Sequence, residues 1–159
     1  MIPSNPFYAG LLGGALFCVV LGVAGGLFTQ LGPWYDNLQK PSWKPPDWAF
    51  GPVWTTIFVL LSLALAYAWQ SADASMKTAL LVALLVNGIL NIAWSAIFFT
   101  MRNPTLALYE LVAFWLSIVA LLFVMSKIST TSLLLGLPYL IWVTIAGVLN
   151  YNIVQLNRT

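Results

Sequence analysis

Three stretches of this chain combine large aromatic rings with polar groups at helical spacing. Asn87 and Asn91 lie one turn apart, and Trp94 and Phe98 continue the same face. Tyr139, Trp142, Ala146 and Asn150 follow steps of three, four and four, again one face. Trp54 and Phe58 make a third i,i+4 pair. Rings supply stacking and apolar area, while carboxamides fix orientation, so such faces suit a flat, mostly apolar ligand. They also suit plain packing, since Asn and Trp side chains hydrogen-bond between membrane helices. On the residues alone, pocket and packing both stand.

Just ahead of Trp54 runs a polar, aromatic island from Trp34 to Trp48. It holds four of the ten charged residues and three of the eight tryptophans. Its closely spaced prolines, Pro41, Pro45 and Pro46, exclude a continuous helix. Lipid-exposed irregular backbone is not tolerated at bilayer depth, so the island belongs at the membrane surface with its indoles among the headgroups. It reads either as an interfacial anchor or as a lid over something inside the bundle.

Glu110 is the one carboxylate within an apolar run. An ionised side chain at the bilayer centre costs at least ~2.5 kcal/mol, which makes the residue a functional candidate. Its proximity to Arg102 and to the start of its span favours a structural hydrogen-bonding role over proton coupling. Other chemistries are excluded. With no histidine and a single cysteine, Cys18, no internal disulfide, Cys/His metal site, or His-dependent nucleophilic machinery can be assembled. No cofactor is implied. A net charge of +2 without a basic run argues against nucleic acid and against a polybasic lipid anchor.

The elements that must carry these residues follow from composition. With 61% hydrophobic and 6% charged residues, the chain is no soluble domain, for which about a quarter of residues are charged. Runs of about 20 apolar residues read as membrane spans. Five are expected, at about 7–31, 51–70, 77–101, 104–126 and 132–156, with a loop at 32–50, in a single domain over 1–159. The fold class is therefore an all-α, polytopic bundle of five transmembrane helices. Pro52 is expected in the first turn of the second span and Pro138 as a kink in the fifth. The amino-terminal residues lack a basic region, so the first apolar segment reads as a retained span. Sustained two-residue alternation is missing, which argues against a membrane β-barrel. Lys40, Lys44, Arg102 and Arg158 outnumber Lys77 and Lys127 on the other side, placing the loop and C-terminus in the cytoplasm. Small residues recur every four positions at Gly10, Gly14, Cys18, Gly22 and Gly26, and at Ala79, Ala83, Asn87, Asn91 and Ser95. Such ridges allow close helix approach, within one bundle or across a homodimer seam.

The motifs resemble those of the translocator protein (TspO/MBR) family, also called tryptophan-rich sensory proteins or peripheral benzodiazepine receptors. Trp34-Tyr35, Leu38-Gln39-Lys40-Pro41-Ser42-Trp43, Pro45-Pro46, Trp48 and Gly51-Pro52-Val53-Trp54 are similar to the family's first loop and second-span start. Asn91-Ile92-Ala93-Trp94-Ser95, with Ile97-Phe98-Phe99, resembles its third span. Pro138-Tyr139-Leu140-Ile141-Trp142 and Leu149-Asn150-Tyr151 resemble its fifth. The resemblance covers nearly the whole chain in order.

That resemblance implies an intramembrane pocket for porphyrins or other tetrapyrroles, closed by the first loop, in a receptor or transporter with a sensing, trafficking or stress-regulatory role. It also implies synthetic isoquinoline- or benzodiazepine-type ligands. Matching positions assign Trp34 and Tyr35 from the loop, then Trp54, Phe58, Asn91, Trp94, Trp142 and Ala146 from the spans. Asn87 and Tyr139 join them from the helical faces above. Trp54 and Trp142 further resemble tryptophans linked to light-dependent porphyrin breakdown in some bacterial members, which makes them the candidate catalytic residues of an alternative, enzymatic reading. A second alternative is a proton-coupled exporter using Glu110. Sterol is disfavoured: after Leu149 and Tyr151 the next basic residue, Arg158, falls beyond the reach of the recognition pattern. Lacking a long basic C-terminal tail, the chain leans toward a bacterial membrane over the mitochondrial outer membrane.

Overall fold

The computed structural model describes residues 5–158; the amino-terminal residues used above for the retained-span reading lie partly outside that range. Among the described residues six helices follow in order: α1 (Pro6–Phe28), α2 (Pro33–Asn37), α3 (Asp47–Ser71), α4 (Ala74–Ser95, continued by a π-helical turn at Ala96–Thr100), α5 (Pro104–Ile128) and α6 (Thr130–Leu156). Five are long and apolar enough to cross a membrane: α1, α3, α4 with its π turn, α5 and α6. No strand occurs among the described residues, so the chain is an all-α polytopic membrane protein.

Local chemistry sets the ends. Asn5, Asp73 and Asn103 accept from the amides of Phe7, Met76 and Leu106 at 2.9, 2.8 and 2.9 Å, satisfying donors that a helix start leaves orphaned. Pro104 sits in the first turn of α5, where its missing N–H costs nothing. The structure starts α3 earlier than the expected 51. Pro46 is its extended N-cap, and Asp47 places a carboxylate in the first turn, where the helix dipole favours negative charge. Pro52 consequently lies inside the helix, in its second turn, not its first. Pro138 is likewise internal to α6, which runs through it.

The long helices close into a ring: α1 packs on α3, α3 on α6, α6 on α5, α5 on α4, and α4 back on α1. The core inverts the soluble pattern. Leu12, Leu16, Val20, Leu85, Ile89, Phe123 and Ile141 face outward, as lipid-facing side chains must when solvent is hydrocarbon. Inside, one cluster around Leu61, Ile118, Leu121, Met125 and Val143 joins α3, α5 and α6. A second, around Tyr35, Phe98, Ala107, Leu149 and Ile153, ties the loop to α4, α5 and α6.

The first glycine ridge packs α1 against α3. A Cβ on Gly10 would stand 2.6 Å from Trp69 Cβ and 3.0 Å from Ala66 Cα, so only glycine permits that approach. Across α4, α5 and α6 a polar chain replaces hydrocarbon contacts. Asn91 Nδ2 donates to the Tyr139 hydroxyl at 3.0 Å, which donates to Asn87 Oδ1 at 3.0 Å. Asn87 Nδ2 donates to Ser117 Oγ at 3.0 Å, and the Ser117 hydroxyl donates to Phe114 O at 2.6 Å.

Candidate functional site

Between the two apolar clusters lies a cavity of about 410 Å³, walled by α1, the loop, α3, α4, α5 and α6. Its volume falls within the ~300–1,000 Å³ typical of small-molecule sites. Eight aromatic rings dominate the wall: Tyr35, Phe50, Trp54, Phe58, Trp94, Phe99, Phe114 and Trp142. The polar groups are few: Asn91, Ser95, Thr29, Thr55 and Asp47. Trp54 and Phe58 lie 5.4 Å apart, Phe50 meets Trp142 edge-on at 5.5 Å, and Trp54 meets Tyr139 at 6.0 Å. These are offset and edge arrangements that quadrupolar rings favour.

The loop is built to sit on this cavity. Tyr35 is buried, and its hydroxyl donates to Asp47 Oδ1 at 3.1 Å. Burial, the charge and hydrogen bond of Asp47 and the charge of Asp36 all raise the Tyr35 pKa, so the phenol stays a donor. Lys44 pairs with the same Asp47 oxygen at 2.6 Å. Lys40 spreads its ammonium over the carbonyls of Tyr35, Asp36 and Leu38 and lies 4.4 Å from the Tyr35 ring centroid, capping the C-terminal end of α2. Farther out, Gln39 N–H donates to Asn157 Oδ1 at 3.0 Å, and Asn157 Nδ2 donates back to Gln39 O at 2.9 Å. That reciprocal pair fastens the loop to the end of α6. The island therefore divides: Tyr35 points in, while Trp48 and Trp43, 76% and 47% exposed, point out.

Of the ten residues expected at the site, Tyr35, Trp54, Phe58, Asn91, Trp94, Trp142 and Ala146 line the cavity. Three do not. Trp34 packs edge-on against Phe98 at 6.1 Å, because successive residues of α2 diverge by about 100° and only one can face the cavity. Asn87 and Tyr139 lie beneath the wall, their polar atoms consumed by the chain that ends at Ser117. Phe98 also departs from the expected face. In the π turn Met101 N–H bonds Ala96 O at 2.9 Å, an i,i+5 closure that brings Phe99, five residues after Trp94, to the cavity. Phe98 is buried behind, 5.2 Å from Trp94 in a stacked pair.

Glu110 corrects another expectation. Both carboxylate oxygens are buried without a hydrogen-bond partner, and the residue is not part of the cavity wall. Its neighbours one turn away on α5, Leu106, Ala107, Ala113 and Phe114, carry no side-chain donors. The sole ion pair among the described residues is Lys44–Asp47, so Arg102 does not reach it. The α1 wall, formed by Leu21, Gly22, Gly25 and Gly26, lies outside the expected site: Gly22 and Gly26 belong to the four-residue ridge, which packing alone explains, while Leu21 and Gly25 fall outside that period.

The chain matches the TspO/MBR family over residues 14–156. It is 40% identical to the tryptophan-rich protein TspO of Chlorobaculum tepidum over 146 residues, covering 88% of this chain and 90% of that protein. It is 34% identical to the tryptophan-rich sensory protein of Cereibacter sphaeroides, over 90% and 92% of the two chains. The human translocator protein is 34% identical over 74% of this chain and 71% of its own.

Proposed function

The chain belongs to the TspO/MBR family, and from that membership we propose that its cavity binds tetrapyrroles and similar flat, largely apolar ligands in a sensing, trafficking or stress-regulatory role. The observation that carries this is the wall itself: indole and phenyl rings from α3, α4, α6 and the loop converge on one space with few polar groups among them. Recognition then rests on stacking, with Asn91 and Ser95 available to orient a ring substituent. Isoquinoline- or benzodiazepine-type molecules suit a space of about 410 Å³ as it stands. A macrocycle is wider, so its uptake requires part of the wall to yield. The names of relatives, sensory protein and translocator protein, agree with a ligand-handling role.

Titration of protoporphyrin IX into the protein in nanodiscs, followed by tryptophan quenching, tests the site. Trp54→Ala with Trp142→Ala is expected to weaken binding by about 2–6 kcal/mol, at the ~1–3 kcal/mol that one stacking ring contributes elsewhere. Unchanged affinity in the double variant sinks the assignment.

A photochemical reading is supported by one feature, the placement of both Trp54 and Trp142 on the wall. Illumination of the complex distinguishes it: light-dependent product loss in Trp54→Phe with binding retained supports turnover, and a rate insensitive to that change rejects it. Proton-coupled export gains nothing, since Glu110 stands off the cavity. In this reading the loop and C-terminus, which meet through Gln39 and Asn157, face the cytoplasm of a bacterial membrane.

A further inference from the structure

The contact between α1 and α3 changes along its length. At one end the helices are locked together: Cβ atoms built on Gly10 and Gly14 would approach α3 to 2.6 and 3.1 Å. Toward the loop the gap widens. A Cβ on Gly22 would meet only the Phe58 ring, at 3.5 Å, and one on Gly26 or Gly51 would meet nothing within 4 Å. Gly22, Gly26, Gly51 and Thr55 are solvent-accessible in the bundle and also line the cavity. Two antiparallel helices that touch at one end and part at the other leave a window in the wall between them. This window opens sideways, within the spans and toward lipid, while the loop above is pinned by Tyr35–Asp47 and Gln39–Asn157.

We infer that apolar ligands reach the cavity laterally from the bilayer, through the window between the loop-proximal halves of α1 and α3, and not by lifting the loop. The inference rests on the binding reading above. Its physical basis is partition. A flat apolar molecule is concentrated in hydrocarbon and loses that favourable transfer if it must first return to water. A side window spares the detour. Among the described residues no side-chain hydrogen bond joins α1 to α3 near Gly22 or Gly26: Thr55 and Ser62 bond carbonyls of their own helix. The end of α1 is held instead to the π turn, where Thr100 Oγ1 donates to Phe28 O at 3.0 Å, so α3 can part from α1 there without breaking a bond between them.

The test reads rates as well as affinity. Protoporphyrin IX is mixed with protein in nanodiscs, and quenching is followed by stopped flow. In one protein the loop is pinned by a short thiol crosslinker between Gln39→Cys and Asn157→Cys in a Cys18→Ala background. In a second, Gly26→Leu places a side chain in the window, where open space surrounds the new Cβ. The pinned protein is expected to associate within about twofold of its uncrosslinked form. Gly26→Leu is expected to slow association and dissociation together by about tenfold, the signature of a gated path. Loss of association on pinning the loop overturns the inference, as do unchanged rates in Gly26→Leu. In either case the saturable amplitude survives. Wild-type traces without saturable amplitude instead refute the cavity reading, and this inference falls with it.

Discussion

Replacing Tyr139 by Phe removes one oxygen atom from a site only 1% exposed, and leaves the ring to hold its place against Trp54 and Phe114. That oxygen serves two hydrogen bonds, accepting from Asn91 Nδ2 at 3.0 Å and donating to Asn87 Oδ1 at 3.0 Å. Asn87 is fully buried, so its carbonyl has no water to turn to; its amide still reaches Ser117 at 3.0 Å. Hydrogen bonds between membrane helices average about 0.6 kcal/mol and reach about 1.7 in double-mutant cycles. Two lost bonds therefore cost about 1–3 kcal/mol, with Asn87 bearing the larger share. Asn91 differs because it also faces the cavity, where its freed amide can turn toward a ligand. Stability is measured by unfolding in mixed micelles and affinity by quenching, for the single variants and for Tyr139→Phe with Asn87→Leu. Tyr139→Phe is expected to lose about 1–3 kcal/mol of stability while keeping protoporphyrin affinity, and the second substitution to recover part of the loss by removing the stranded carbonyl. A loss below about 0.3 kcal/mol, or no recovery in the pair, refutes the claim that this oxygen ties α6 to α4 through Asn87 and Asn91.

Gly10→Ala forces a methyl against backbone and Cβ atoms that no rotamer change can clear, and is expected to destabilise by about 1–3 kcal/mol; Gly26→Ala, with open space, should be neutral or slightly stabilising in the same unfolding assay. Glu110→Leu removes two buried oxygens that have no partner and should raise the melting temperature in detergent by a few degrees, at about 2–4 °C per kcal/mol for a chain this size. A fall would show that the carboxylate has a partner in the native bundle. Asn157→Ala unfastens Gln39 and should speed amide exchange across 38–44 without changing exchange in α3, as read by mass spectrometry.

How much of this was readable beforehand depended on whether one helix or several set the answer. Five spans follow from hydrocarbon alone, since a lipid-exposed backbone must close its own hydrogen bonds. Trp54 with Phe58, and Asn91 with Trp94, were legible because each pair lies on one regular helix and regular helices obey a fixed period. Phe99 was not: a single π turn adds one residue to the repeat, and nothing in Ala96-Ile97-Phe98-Phe99-Thr100 announces it. Trp34 and Tyr35 looked equivalent until α2 separated their directions. The glycine ridge of α1 was visible, but one pattern served two ends, tight packing at Gly10 and cavity wall at Gly22 and Gly26. Partner choice between helices was the least legible. Asn87 and Asn91 share a face, yet only the approach of α5 and α6 makes one a buried link to Ser117 and the other part of a wall.

The central claim is that flat apolar ligands occupy the space beneath the loop. The most direct measurement is a structure of the protein with protoporphyrin IX in a lipid nanodisc. The macrocycle is expected between Trp54 and Trp142, within stacking distance of at least one indole and below Tyr35. A bound macrocycle on the lipid-facing surface, with the cavity holding no ligand, would contradict it.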